Sequence, residues 1–290
     1  MSSSPDSMIF IGMPIWNCEK TIRRAIESVL SQKHTNWILY ISDNYSSDKT
    51  FEIAREYSKL DERIILFRQE ENIGPERNFL HVLENSAGEF FKFHASDDWL
   101  GPDYLGECIS RLDKFNEAVG VCTIDGWDWE YENGFQLNYF SLEGKQSERF
   151  SLLRKNCWRS NGLFYGVFRR KEFMEAAKFL KDECKFLNPD WIILARLIKL
   201  GDVLRTQKGD LVLGSKGASN SDPLYWWKQL HTTTQKLLPY RNFVTLISEG
   251  KQRITYRSRA EIYLWVFEMY VNHYKGLLSV LIRARPRYKK

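Results

Sequence analysis

The sequence is poor in cysteine and organises none of it. Cys18, Cys108, Cys122, Cys157 and Cys184 are odd in number, widely spaced, and form neither a CxxC pair nor a Cys/His cluster. That pattern excludes a disulfide framework and a structural zinc site, and it fits a reducing compartment. Long apolar runs are missing as well. No stretch approaches about 18 uninterrupted apolar residues, so no simple membrane-spanning helix is expected. The opening residues Met1 to Ser7 are polar and lack the basic-then-apolar order of a secretory signal, so residues 1–7 read as a disordered lead. No GxGxxG follows the first apolar run, which argues against a dinucleotide-dependent dehydrogenase.

What is present is the composition of a folded globular protein: 43% hydrophobic, 14% aromatic and 27% charged over 290 residues. The net charge of +5 is unevenly spread. From Lys251 onward ten Lys or Arg face only Glu261 and Glu268. No nucleic-acid-binding motif accompanies this basic end, so a nucleic-acid partner is not expected.

Apolar runs alternate with helical periodicity. Met8 to Met13 reads as a strand covered on both faces and ended by Pro14, followed by a helix with Ile22, Ala25, Ile26, Val29 and Leu30 on one stripe. Trp37 to Ile41 ends at Ser42-Asp43-Asn44, and Asp48 is placed to cap a helix carrying Phe51, Ala54 and Tyr57. Arg63 to Phe67 forms a third strand, Asn72 to Pro75 a loop, and Phe79, Leu80, Val82 and Leu83 an inward helix face. A fourth strand, Phe90 to Phe93, leads to Asp97-Asp98, and Pro102 stands at the start of the next helix. Repeated βαβ units predict an α/β fold with a mostly parallel sheet, and such sheets bind ligands at the carboxyl ends of their strands. Asn17, Glu19, Asp43, Asn44, Asp48, Asp97 and Asp98 all fall at those ends. Adjacent carboxylates there call for a cation or a ligand, since like charges repel.

Further along, Val119 to Thr123 is a strand, and Asn133-Gly134 within the aromatic segment Trp127 to Phe135 signals a hairpin. That segment reads either as core or as a stacking surface for a sugar. Leu163 to Arg170 is expected as a strand followed by a helix from Lys171. Trp191 to Leu200 is a helix stopped by Gly201, with Asp190 either its N-cap or a carboxylate aimed at the same site as Asp97. The aromatic stretches Leu224 to Trp227 and Ile262 to Val271 precede a basic tail. They suit either packing on the main domain or contact with an anionic membrane surface.

Four ordered blocks carry a resemblance: Phe10-Ile11-Gly12-Met13-Pro14-Ile15-Trp16-Asn17-Cys18-Glu19, Ile41-Ser42-Asp43-Asn44-Tyr45-Ser46-Ser47-Asp48-Lys49-Thr50, Asn72-Ile73-Gly74-Pro75-Glu76-Arg77-Asn78 and Ala95-Ser96-Asp97-Asp98. In order and spacing they resemble the family 2 glycosyltransferases of GT-A fold, of the bacterial polysaccharide type. The likeness covers about residues 8 to 210. It implies a Rossmann-like, mostly parallel sheet with helices on both faces over residues 8–215, and a C-terminal helical, basic extension over 216–290.

The resemblance implies an inverting transfer of a hexosyl or N-acetylhexosaminyl group from a nucleoside diphosphate sugar, UDP by preference. The acceptor would be a glycan or lipid-linked glycan, and the work would be done in the cytoplasm or at the cytoplasmic face of the inner membrane. Pro14, Ile15, Trp16, Asn17 and Glu19 would line the nucleoside, Asp43 would accept a hydrogen bond from the base, and Asn44, Arg77 and Ser96 would join them. Arg77 otherwise makes a surface ion pair. Asp97, with Asp98, would hold Mn²⁺ or Mg²⁺ bridging the diphosphate, a task for hard oxygen ligands. Asp190 would be the general base. Gly162 to Gly166 would form an acceptor wall. Two departures accompany the match. Ala95 stands where an Asp of the metal motif is common, and Asn44 where a second Asp is common. They imply weaker metal affinity, with Asp98 or Ser96 compensating. They also keep open an alternative, a catalytically silent module that binds nucleotide sugar or glycan.

Overall fold

In a computed structural model, residues 7–128, 138–158, 162–181, 188–214, 236–250 and 252–283 are described. The Asn133-Gly134 hairpin, the Leu224 to Trp227 aromatics and the closing residues 284–290 lie outside them. The described chain starts one residue inside the lead expected to be disordered, at Ser7. This residue is buried, with its carbonyl oxygen 3.3 Å from His34 Nε2.

Strands β1 (Ile9–Ile15), β2 (Trp37–Asp43), β3 (Ile64–Arg68) and β4 (Phe90–Phe93) pair in parallel, in the spatial order β3-β2-β1-β4. Their connections are α1 (Ile22–Leu30), α2 (Thr50–Leu60) and α3 (Pro75–Glu84). The sheet then continues through β7 (Val167–Arg169), β6 (Ala118–Trp127), β8 (Asp202–Leu213) and the short β5 (Trp99–Leu100). Here β6 and β8 are parallel, whereas β7 runs antiparallel to both of its neighbours and β5 antiparallel to β8.

Strand alternation assigns the helices to two faces. Gly12 points at α3: a Cβ there would lie 2.2 Å from Val82 Cγ1. Phe93, paired with Gly12, meets Phe79 of α3 on the same face, with ring centroids 4.9 Å apart. The next residue, His94, turns to the opposite face, its Nε2 3.3 Å from Ala25 O of α1.

Three local expectations change. The run Leu163 to Arg170 is not one strand: Gly162–Tyr165 is a 3-10 turn, closed by Gly166 N donating to Leu163 O, and only Val167–Arg169 is extended. A Cβ at position 166 would lie 2.8 Å from Val121 O, so the chain bends where no side chain obstructs it. Pro102 precedes its helix rather than opening it. Helix α4 (Tyr104–Lys114) starts two residues later, and Pro102 O accepts from Lys33 N. β1 runs past Pro14 to Ile15, an edge-free position made tolerable by lying at the strand end.

Helices α5 (Gln146–Asn156), α6 (Arg170–Ala176) and α7 (Pro189–Leu200) complete the layer over the β6–β8 half. The C-terminal α8 (Phe243–Ser248) and α9 (Tyr256–Arg283) do not form a second core. Phe243, Ile247, Ile262, Trp265 and Met269 join the same buried cluster as the sheet. The Trp265 ring lies on Trp191 of α7, centroids 5.8 Å apart, and Arg154 of α5 bonds Glu261 at 2.9 Å and Glu268 at 2.6 Å. Among the described residues no helix is long and apolar enough to cross a membrane.

Candidate active site

The carboxyl ends of β1, β2 and β4 converge at one sheet edge, and the two loops leaving β1 and β2 are cross-linked. Asn17 N donates to Ser46 Oγ (2.9 Å), Cys18 N to Thr50 Oγ1 (2.7 Å) and Glu19 N to Asp48 Oδ2 (3.2 Å). In return Ser47 N donates to Asn17 Oδ1 (2.9 Å) and Lys49 N to Glu19 Oε2 (3.1 Å). Asp48 also accepts from Thr50 N at 3.0 Å, so it satisfies a first-turn amide of α2 as well as holding the neighbouring turn, while the N-cap position itself is Lys49. The polar side chains that the sequence brings here are therefore spent largely on shaping backbone. Pro14 is half-buried and Ile15 buried, while Trp16 is half-exposed and presents its indole to solvent.

Asp43 is fully buried at the end of β2. Both its oxygens lie 3.2 Å from Ser46 N, and Arg68 Nε approaches to 3.3 Å. Burial pushes its carboxyl up, against the pull of Ser46 and the Arg68 guanidinium. Arg68 was not singled out from sequence. It stands opposite Asp43 in the β2–β3 register, and a cation ending a strand beside one that ends in an acid is the available signal.

Asn44 is an organiser of the next loop. Its Nδ2 donates to Asn72 Oδ1 (2.9 Å) and its Oδ1 accepts from Ile73 N (2.9 Å). The amide at this position supplies the loop with one donor and one acceptor, which an ionised carboxylate could not do. Arg77, on the first turns of α3, is exposed, and among the described residues its guanidinium makes no hydrogen bond or ion pair. Its neighbour Asn78 is buried and accepts from Ser42 Oγ at 2.7 Å, a tie between α3 and β2 that pattern reading missed.

The Ala95 to Asp98 turn joins this edge through Cys18, whose thiol is hydrogen-bonded by both Thr50 and Ser96; burial pushes that thiol up to about 11, so it stays protonated. Arg24 Nη2 donates to Asp97 O at 3.2 Å while its guanidinium covers the Trp99 ring at 3.7 Å. His94, fully buried, is held down to about 3 by burial and by Lys92, and is neutral. Asp97 is half-buried at the lip of the turn. Asp98, expected as a second metal ligand, is instead 3% exposed and turned into the protein, where its Oδ1 accepts from Gly214 N at 2.8 Å. Burial, then Asp97, raises its carboxyl well above the carboxylate range. It anchors the turn to the end of β8.

Asp190 lies in the first turn of α7, behind Asn188 in the left-handed region (φ 55°) and Pro189 at the helix start. Burial, and after it the neighbouring carboxyls of Asp98, Asp97 and Asp190, pushes the Tyr165 phenol well above its usual range. Two chain segments about 90 positions apart thus act electrostatically on one phenol. The 3-10 turn carrying Tyr165 is fixed from below: buried Lys92 donates to Tyr165 O at 2.6 Å and Tyr104 OH donates to it at 2.8 Å.

These residues allow a limited test of a cation site. Among the described residues no group of three or more His, Cys, Asp or Glu is disposed to hold a metal. Asp97 can supply a hard oxygen ligand, so a divalent cation here would take its remaining ligands from phosphate and water, as Mg²⁺ commonly does. The residues fit that partial role.

The family model described as glycosyl transferase family 2 matches residues 10–171. An Escherichia coli relative, the UDP-Glc:alpha-D-GlcNAc-diphosphoundecaprenol beta-1,3-glucosyltransferase WfgD, is 31% identical over 157 residues, 52% of this chain and 57% of its own. The S. aureus TarS 1-349 structure in complex with UDP-GlcNAc superposes with a TM-score of 0.65 at 14% identity, covering 91% of this chain and 72% of that one. A mannosyltransferase from Pyrobaculum calidifontis in complex with GDP-Man and Mn²⁺ gives 0.58 at 12% identity, covering 97% and 76%. These structural likenesses establish the fold. The chain spans between about a fifth and somewhat over half the length of the curated relatives it matches.

Proposed function

The chain belongs to glycosyl transferase family 2, and from that premise we propose that it transfers a hexosyl or N-acetylhexosaminyl group from a UDP-sugar to a hydroxyl of a lipid-linked glycan, with inversion. The observation that supports the reading is the cross-linking of the β1 and β2 loops beside the Ala95 to Asp98 turn, which Ser96 joins to Cys18, with Asp97 and Asp190 both acting on Tyr165 through their charge. The acceptor class rests on the relative that acts on a diphosphoundecaprenol-linked sugar, and the donor on that relative and on the UDP-GlcNAc complex of TarS.

In this mechanism the Pro14 to Glu19 turn receives the nucleoside, with Trp16 offering a face to the base. Arg77, uncommitted within the described fold, is free to meet phosphate oxygens. A Mn²⁺ or Mg²⁺ ion held by Asp97 would supply charge neutralisation for the departing diphosphate. Asp190 takes the proton from the acceptor hydroxyl as that oxygen bonds to the anomeric carbon. The bond from that carbon to the diphosphate oxygen breaks on the opposite face, and its electron pair leaves with UDP. Positioned base catalysis of this kind contributes about 10²- to 10⁴-fold.

The test is a transfer assay with UDP- and GDP-sugars, a diphosphate-linked lipid acceptor and Mn²⁺, reading product configuration by NMR. The reading expects an inverted product, loss of turnover with EDTA, and Asp190→Asn that binds donor yet turns over at least 100-fold more slowly. Retained configuration, or undiminished turnover in Asp190→Asn, rejects the mechanism. Donor binding by calorimetry with no turnover across the panel would make the chain a binding module instead.

A further inference from the structure

Helix α9 has two faces of different character. One is buried: Ile262, Trp265 and Met269 pack on the core, and the acids beside them, Glu261 and Glu268, are both drawn to Arg154. Among the described residues the other face is largely uncovered and aromatic. Tyr256 is 88% exposed, Tyr263 56%, Phe267 63% and Tyr274 43%. They recur at intervals of seven, four and seven residues, which at 3.6 residues per turn aligns them within about 40° around the axis, in a stripe about 27 Å long. Leu237 and Leu238, also exposed, adjoin one end, where Tyr274 OH donates to Leu237 O. Arg257, Arg259 and Lys275 are exposed along the same helix, and its two acids are the ones already held by Arg154.

We propose that this stripe is a docking surface for an anionic lipid bilayer, with α9 lying in the plane of the interface. Three observations select that occupant. Tyr sits at the level of lipid headgroups, with ring in the acyl boundary and hydroxyl toward the headgroups, and Phe adds apolar area on the same face. The flanking charge is basic and both acids are drawn to Arg154 away from the stripe, which matches acidic headgroups and offers no complement to a second copy of the same basic face. Among the described residues no helix could cross the bilayer, so attachment would be peripheral. The inference stands on helix geometry and needs no sugar donor, so its outcome is independent of the transferase reading.

The experiment is flotation of the full chain with vesicles of phosphatidylcholine, alone or with one-third phosphatidylglycerol. The expected result is co-flotation with the acidic vesicles, weakened by high salt and weak with neutral ones. The Tyr263→Ser, Phe267→Ser double variant should partition less strongly by about tenfold per ring removed. The triple variant Arg257→Gln, Arg259→Gln, Lys275→Gln should lose about fivefold per charge, on acidic vesicles only. Circular dichroism and melting temperature check that each variant folds, and the triple variant alters only exposed polar heads. The proposal is overturned if the wild-type chain stays unbound with both vesicle types, or if the serine variant floats like wild type. It is equally overturned if sedimentation shows a wild-type dimer that the serine variant dissolves, which would make a second copy the occupant.

Discussion

At position 44 an amide does what a carboxylate could not. Asn44 Nδ2 donates a hydrogen bond to Asn72 Oδ1, and that oxygen is already fixed as an acceptor by Gly74 N at 3.0 Å. Asn44→Asp would set two acceptors face to face in a site 3% exposed, and is expected to cost about 1–3 kcal/mol in urea unfolding. Beside it, Tyr45 holds φ 60°, a left-handed conformation rare for a bulky residue, with its ring half-exposed near the Arg68 guanidinium. Such a residue costs of order 1–3 kcal/mol. Tyr45→Gly should therefore melt no lower than wild type, where an exposed turn residue replaced by Gly would ordinarily lose stability. The acids of the site were legible from the ends of the apolar runs. Their separate orientations were not: nothing in Asp97-Asp98 as adjacent letters says that the second turns inward to Gly214, since the partner lies 116 positions on.

Among the elements, the βαβ half was readable because apolar runs and helical stripes alternate without interruption from Ile9 to Phe93. The β6–β8 half was harder for a physical reason. Leu163 to Phe168 is apolar or aromatic and, apart from half-buried Tyr165, buried, and burial alone does not separate a 3-10 turn plus three extended residues from one strand. The placement of β7 antiparallel between β4 and β6 depends on pairings that no local pattern carries. Gly12 is a sharper case. Glycine inside a strand is normally worth replacing, since it carries excess unfolded entropy of roughly 0.5–1 kcal/mol. Here α3 crosses so closely that an added methyl meets Val82 at 2.2 Å, so Gly12→Ala should reverse that sign and destabilise by about 1–3 kcal/mol in urea titration.

For the molecule as a whole, α7 is the beam to which the C-terminal helices are fastened. Lys199 Nζ donates to Ile247 O at 2.7 Å and Glu249 O at 2.5 Å, and burial together with Arg196 lowers it to about 8. An unfolded lysine titrates near 10.4. Between these values the unfolded chain binds more protons than the native one, so the Lys199 contribution to stability rises with pH across that window and is least favourable below it. Lys199→Met should flatten the pH dependence of unfolding free energy between about pH 8 and 10 relative to wild type. The Trp191–Trp265 contact has a practical corollary for anyone wishing to trim the chain. A fragment cut to the family-matched residues 10–171 would lack α7 and with it Asp190. One ending just before α9 would keep Asp190 but strip the indole floor from beneath its neighbour, leaving Trp191 and Phe243 as a raw apolar scar. Either fragment should precipitate rather than work in miniature.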